Sequence, residues 1–333
     1  MLEFGRAIVR ISLFALLCMV TIMASVSLGS KIIPLETVWQ SFVQFDPENM
    51  DHLILQTSRL PRGIGALLIG AFMAVSGALM QGMTRNYLAS PSILGVADGS
   101  VFIITLCMVF LPGSSSVTLI ICSLTGSALG AALVFAIARA LPGGMTPLTL
   151  SILGTIIGTL LNGTAQALAS YFQVSQNISF WYNARLHQMD PVLIKWTIPF
   201  AIVGLALAFL VLRSVAALSL GEDIARGMGV RVPLMKALIM LSVVILTGVS
   251  VAMAGKIAFV GLIIPHIARM LFGADYRKIV PCSAVLGALF LAWSDIISRF
   301  LNAPFETPVG VVTAIFGVPF FLYLIKTKGG RSA

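Results

Sequence analysis

Apolar residues come in long blocks along this chain, and polar residues are confined to short segments between them. Runs of roughly 20 apolar residues, the length that crosses a hydrocarbon layer, fall near 7–29, 62–83, 93–111, 117–140, 147–171, 191–212, 235–254, 257–273, 280–299 and 308–325. The pattern predicts an all-α, polytopic membrane protein of about ten transmembrane helices, forming a single domain over 1–333. The third and eighth runs are short or broken, as in "SPSILGVADGS" and "GLIIPHIARML". Irregular backbone survives at membrane depth only where protein or a water-filled cavity covers it. The first run is too long for the apolar core of a signal peptide and more runs follow it, so it reads as a retained helix.

Composition agrees with the pattern. The sequence is 58% hydrophobic and 10% charged, with a mean hydropathy of +1.02, more apolar surface than a soluble core can absorb. Ten spans put both termini on one side. Of the 21 basic residues, only Lys31, Arg59, Arg62, Arg185, Lys195, Lys256 and Arg299 then fall on the other side. The excess on the terminal side makes that side cytoplasmic. The net charge of +9 is therefore topological, and nucleic-acid binding is not expected. Cys18, Cys107, Cys122 and Cys282 lie inside apolar runs without CxxC spacing and read as small hydrophobes. The three histidines lack metal-ligand spacing, so no metal site is expected.

The longest polar interruption in the second half is "SLGEDIARGMGVRVP", 219–233, inside a loop of about 213–234. Ser219 followed by Glu222 reads as a capping box. Glu222 and Asp223 at the start and Arg226 near the end complement a helix dipole. Leu220, Ile224 and Met228 share one stripe, and Gly227 or Gly229 offers a stop. About nine residues give roughly 14 Å, too short to span. A lipid-surface helix and a docking helix for a cytoplasmic partner both fit, but two leading acids suit a lipid surface poorly.

Polar residues at the opposite face raise a second question. Arg59 and Arg62 flank Pro61 in "SRLPR", and Arg299 closes "DIISR". Arginines there run against the positive-inside bias. They suit an acidic partner, or are neutralised within the chain by Glu36, Asp46, Glu48, Asp51 or Glu306. Asp98, in "GVADGS", lies within the membrane region, where carboxylates are functional by default; beside Gly95 and Gly99 it reads rather as the cap of a half-helix. The segment 172–190 mixes aromatics and amides, including Phe172, Phe180, Trp181, Tyr182 and Arg185, and suits either an interfacial belt or a pathway for a bulky solute.

Chemistry is otherwise sparse. There is no GxxxxGK[ST]: Gly255-Lys256 is followed by Ile257 and lacks the upstream glycine, so no P-loop is present. An intramembrane hydrolase using Ser294 or His266 would lack a readable partner residue. A proton-coupled carrier would need more intramembrane acids and histidines. A conduit with docking surfaces on both faces remains.

The segments "RLPRGIGALLIGAFMAVSGALMQGMTRNYLASPSILGVADGS", "SLGEDIARGMGV", "GKIAFVGLIIPHIARML" and "ETPVGVVTAIFGVPFFLYLIK" resemble the iron-siderophore/vitamin B12 ABC importer permease family over nearly the whole chain. The likeness is strongest to catecholate-siderophore (bacillibactin and enterobactin) permeases of Gram-positive bacteria. The resemblance implies the type II (BtuC-like) ABC importer permease fold in a bacterial plasma membrane. It also implies a second permease subunit, two cytoplasmic ABC ATPases binding ATP and Mg, and an extracellular substrate-binding lipoprotein. This chain would be a transport subunit without ATPase activity and without a cofactor of its own, moving a ferric siderophore; a hydroxamate siderophore, haem or vitamin B12 is the alternative cargo. By position, Arg59, Arg62 and Arg299 would dock the binding protein. Ser219, Leu220, Gly221, Glu222, Asp223, Ile224, Ala225, Arg226, Gly227, Met228 and Gly229 would couple to the ATPase. The region 150–186, with Phe172, Phe180, Trp181, Tyr182 and Arg185, would line the pathway. The chain reads "WYNARLHQ" where many members carry a Trp-x-x-Gly-Ser-like pattern, which places it in a subgroup.

Overall fold

The computed structural model describes residues 2–29, 31–92, 94–141, 146–176, 178, 186, 189–302 and 305–328. They form helices and connecting turns, with no strand among the described residues. The helices are α1 (Leu2–Ser27), α2 (Leu35–Val43), α3 (Met50–Ile54), α4 (Leu60–Thr84), α5 (Val96–Phe110), α6 (Ser116–Ala140), α7 (Pro147–Tyr171), α8 (Pro191–Leu210), α9 (Leu212–Leu220), α10 (Glu222–Gly227), α11 (Val232–Ala254), α12 (Val260–Phe272), α13 (Tyr276–Ser298) and α14 (Val309–Lys328). Six continuous helical segments are long and apolar enough to cross a membrane, and four shorter apolar helices join them: Leu13–Ser27, Val96–Phe110, Val260–Phe272 and Val309–Leu324.

Helix α4 is the axis of the bundle, and its most apolar stretch is 83% buried. It packs chiefly on α13, α11 and α12. Lipid supplies no hydrophobic drive between helices, so small residues that admit close backbone approach set these contacts. A Cβ on Gly70 would stand 2.2 Å from the Gly287 carbonyl oxygen, and one on Gly77 only 1.8 Å from that of Gly261. The α5–α6 pair uses the same device, with Gly99 against Gly126 and Gly130 against Gly95.

The second run begins earlier than the apolar pattern indicates. Helix runs continuously from Met50 to Thr84, with a π-helical turn at Leu55–Arg59 between α3 and α4. Pro61 sits in the first turn of α4 and has no N–H to give to the preceding turn, and the wider π turn accommodates that loss. The polar residues of this extension hid it from a hydropathy reading.

The two broken runs form half-helices, each shorter than a full crossing. At 1.5 Å per residue, the 15 residues of α5 rise about 22 Å and the 13 of α12 about 20 Å, against roughly 30 Å of hydrocarbon. Gly77 lies seven residues before the end of α4, so its contact with Gly261 sets the first turn of α12 about 10 Å inside that end. Each half-helix starts from a residue in the left-handed region, Gly95 at φ 71° and Phe259 at φ 69°.

Candidate functional site

Polar chemistry concentrates at the two ends of the bundle and at one place between them. At the end where α1 and α13 finish, Arg59, Arg62 and Arg299 come together, but at 8%, 6% and 5% exposure. Arg299 Nη1 donates to the carbonyls of Ser25 (2.5 Å) and Leu28 (2.9 Å). Arg59 donates to those of Val26 (2.8 Å), Ser27 (3.1 Å) and Lys31. The last carbonyls of a helix lack intrahelical donors and carry its negative dipole end, and these two guanidiniums cap α1. Arg62 instead grips acids: Nε lies 2.9 and 3.0 Å from the Asp295 carboxylate oxygens, and Nη1 2.7 and 2.9 Å from those of Glu306. Asp295, 1% exposed, also accepts from Arg299.

The three arginines expected at a partner surface are thus engaged within the chain. Of the acids read as internal neutralisers, Glu306 serves Arg62, and Asp51 pairs with Lys31 at 2.5 Å. Asp295, the hub, was missed, although its i,i+4 spacing to Arg299 in "DIISR" was legible.

At the opposite end lies 219–229, and the capping box does not form. Ser219 belongs to α9 and donates back to the Ala216 carbonyl at 2.7 Å. Gly221, at φ 135°, then turns the chain into α10 with no side-chain cap. Such a backbone conformation is open to glycine, and it places the helix start two residues later than Ser219 would. The stop is at Gly229, in the left-handed region at φ 79°. Its N–H bonds the Arg226 carbonyl and that of Val230 bonds Ala225, both at 2.9 Å, which is a Schellman ending. The Glu222 carboxylate does not reach back; it accepts from Lys236 of α11 at 2.5 Å. That bond holds Glu222 below the usual carboxylate range, burial opposing it and Lys236, Arg226 and Arg85 adding charge attraction. Ala225 is buried, whereas Leu220, Ile224 and Met228 are exposed at 62%, 52% and 64%. The loop is pinned to the bundle on one side and presents an apolar stripe on the other.

Between the ends, the turn that leads from α11 to α12 reaches the first turn of α5. Lys256, in the turn after α11, places its Nζ 2.6 Å from Asp98 Oδ1 in the first turn of α5. The expected capping role of Asp98 is replaced by this ion pair: the cap residue is Gly95, with no side-chain bond. The pair borders a cavity of about 530 Å³ that Thr155, Thr159, Asn162 and Gln166 of α7 also line. Spacings of four, three and four residues put these on one helix face; the stripe was legible in the sequence and was not singled out. Phe180, Trp181, Tyr182 and Arg185 lie outside the described residues. Phe172 caps α7, 43% exposed, with its ring edge-on to Tyr171 and Phe110 at 5.1 and 5.5 Å.

A helical bundle with six helices of membrane-crossing length and apolarity defines a polytopic membrane protein. Residues 17–327 match the FecCD transport family, and the chain belongs to that family. It is 55% identical to the iron-uptake system permease protein FeuB of Bacillus subtilis, over 99% of this chain and 98% of that protein. It is 48% identical to the iron(3+)-hydroxamate import system permease protein FhuB of the same organism, over 98% and 84%. Among solved structures, an inward-facing metal-chelate type ABC transporter matches with a TM-score of 0.79 at 30% identity, covering 94% of this chain and 97% of that one.

Proposed function

We propose that this chain is the permease subunit of an ATP-driven importer for a ferric siderophore, with about ten crossings and both termini in the cytoplasm. The observation that carries the reading is the cavity bordered by the Asp98–Lys256 ion pair and by the Thr155, Thr159, Asn162 and Gln166 face of α7. Such a cavity gives a hydrophilic solute a place at membrane depth. A chain without a P-loop needs its energy from elsewhere, and the stripe Leu220, Ile224 and Met228 is the contact through which 219–229 takes it from an ATPase. A second permease copy and an external binding protein complete the assembly. The binding protein docks at the end held by Arg59, Arg62 and Arg299, a partner carboxylate replacing Glu306 on Arg62. The pathway runs along α7 and its following segment, including Phe172, Phe180, Trp181, Tyr182 and Arg185. A catecholate cargo is favoured by the motif resemblance. The 48% likeness to a hydroxamate-system permease makes a hydroxamate the second reading.

Proteoliposomes holding this chain with its co-expressed ATPase and binding protein test the proposal. Ferric-chelate uptake is expected to need ATP hydrolysis; uptake by this chain without any ATPase would establish a secondary carrier instead. Asp223→Lys with Ile224→Asp alters side chains 97% and 52% exposed. The variant is expected to insert normally while transport falls at least tenfold, and unchanged transport overturns the coupling role.

A further inference from the structure

We infer that Lys256 is a solute-contacting cation of the cavity, held in place by Asp98, and that it takes an anionic oxygen of the passing chelate; this rests on the importer reading above.

Burial is divided unequally across the pair. The Asp98 side chain is 6% exposed and that of Lys256 31%, so the carboxylate lies behind and the ammonium faces the opening. An ammonium has three donors, and the single bond to Asp98 Oδ1 leaves capacity on the cavity side. Asp98 lies against α7: a Cβ on Gly158 would stand 2.7 Å from Asp98 Oδ2. On the same helix, the hydroxyls of Thr155 and Thr159 donate to the carbonyls four residues earlier, at 2.9 and 2.8 Å. They therefore turn lone pairs, not hydrogens, toward the cavity, and cannot themselves favour an anion. Lys256 is the one full positive charge among the described residues that line the cavity.

A lysine held against a carboxylate only 6% exposed is costly to desolvate and needs a compensating role. Merely joining two half-helices would be served as well by an apolar contact, since replacing a buried ion pair by hydrophobic residues is often neutral or stabilising. A partly exposed ammonium beside a roomy cavity is suited to an anion. Three catecholates, each doubly negative, leave iron(III) with a net negative charge; three hydroxamates, each singly negative, leave it neutral. Lys256 therefore discriminates by charge.

The test uses the full transporter in proteoliposomes, supplied with an anionic ferric tris-catecholate or a neutral ferric tris-hydroxamate. Lys256→Met alone would strand a buried carboxylate, so the informative variant is Lys256→Met with Asp98→Asn. It is expected to assemble and hydrolyse ATP, yet to import the anionic chelate at least tenfold more slowly, with neutral-chelate uptake, where the wild type shows it, within twofold. Import of the anionic chelate by the double variant at the wild-type rate, or an equal loss for both chelates, overturns the inference. Lys256→Arg is expected to retain anionic uptake. If the wild type imports neither chelate, the importer reading fails, and cavity access is read separately. Lys256→Cys, with Asp98→Asn and the four native cysteines replaced, should react with membrane-impermeant anionic and cationic thiol reagents alike, which reads whether this position faces the cavity. A cysteine inert to both refutes the inference whatever the transport result.

Discussion

Replacing Asp295 by Asn tests the arginine cluster most directly. The substitution preserves shape while removing the charge that faces both Arg62 and Arg299, whose side chains are 7% and 4% exposed. Arg62 retains Glu306, but that carboxylate is 41% exposed and solvent weakens it. Arg299 retains only carbonyls and the Ser25 hydroxyl. Breaking a buried pair by removing one partner costs about 3–5 kcal/mol, because the other charge is left uncompensated. Loss of a half-exposed pair costs about 0–1 kcal/mol, so Glu306→Gln is expected to stay near that range. The gap between the two variants is then at least about 2 kcal/mol, more than tenfold in the unfolding equilibrium at about 1.4 kcal/mol per decade. Denaturation in mixed micelles, followed by tryptophan fluorescence, reads it; Trp293 lies two residues from Asp295. Equal stability of Asp295→Asn and Glu306→Gln, or a loss below about 1 kcal/mol for Asp295→Asn, would refute the claim that Asp295 is the hub.

Gly77→Ala places a methyl carbon against the Gly261 carbonyl, where the ideal distance is 1.8 Å, so α4 and α12 must part. A cost of at least about 1–3 kcal/mol is expected, together with slower transport as the turn bearing Lys256 shifts. Gly310→Ala, which meets nothing within 4 Å, should be neutral or slightly stabilising in the same denaturation assay. The pH response of the 219–229 loop follows from Glu222. Its carboxyl is depressed in the folded state, so the Lys236 tie is complete above the ordinary glutamate range and is lost only as pH falls below that range. Hydrogen exchange across α10 should be constant from neutral pH down to that point and rise below it, after correction for intrinsic rates; loosening already near pH 6 would contradict the assignment.

Much of the architecture is legible along the chain, because lipid imposes a simple rule. Backbone groups must be satisfied within each crossing segment, so apolar runs of fixed length become helices whatever surrounds them. The same rule made the two Gly/Pro-broken runs visible as half-helices, and Leu220, Ile224 and Met228 visible as a stripe. What a side chain bonds across the bundle is not written locally. Ser219 and Glu222 have the spacing of a capping box, yet Gly221 at φ 135° and Lys236, 14 residues on, outbid it. Arg59 and Arg299 look like surface charges until α1 ends beside them with open carbonyls. Asp98 looks like a cap until Lys256, 158 residues away in sequence, arrives at its oxygen. The sequence by itself determined the helices and the class of protein, because hydrophobicity and backbone hydrogen bonding act over a few turns. Only the tertiary structure decided which charges are buried together, because in a medium that cannot solvate them each must find its partner from whichever helix packs alongside.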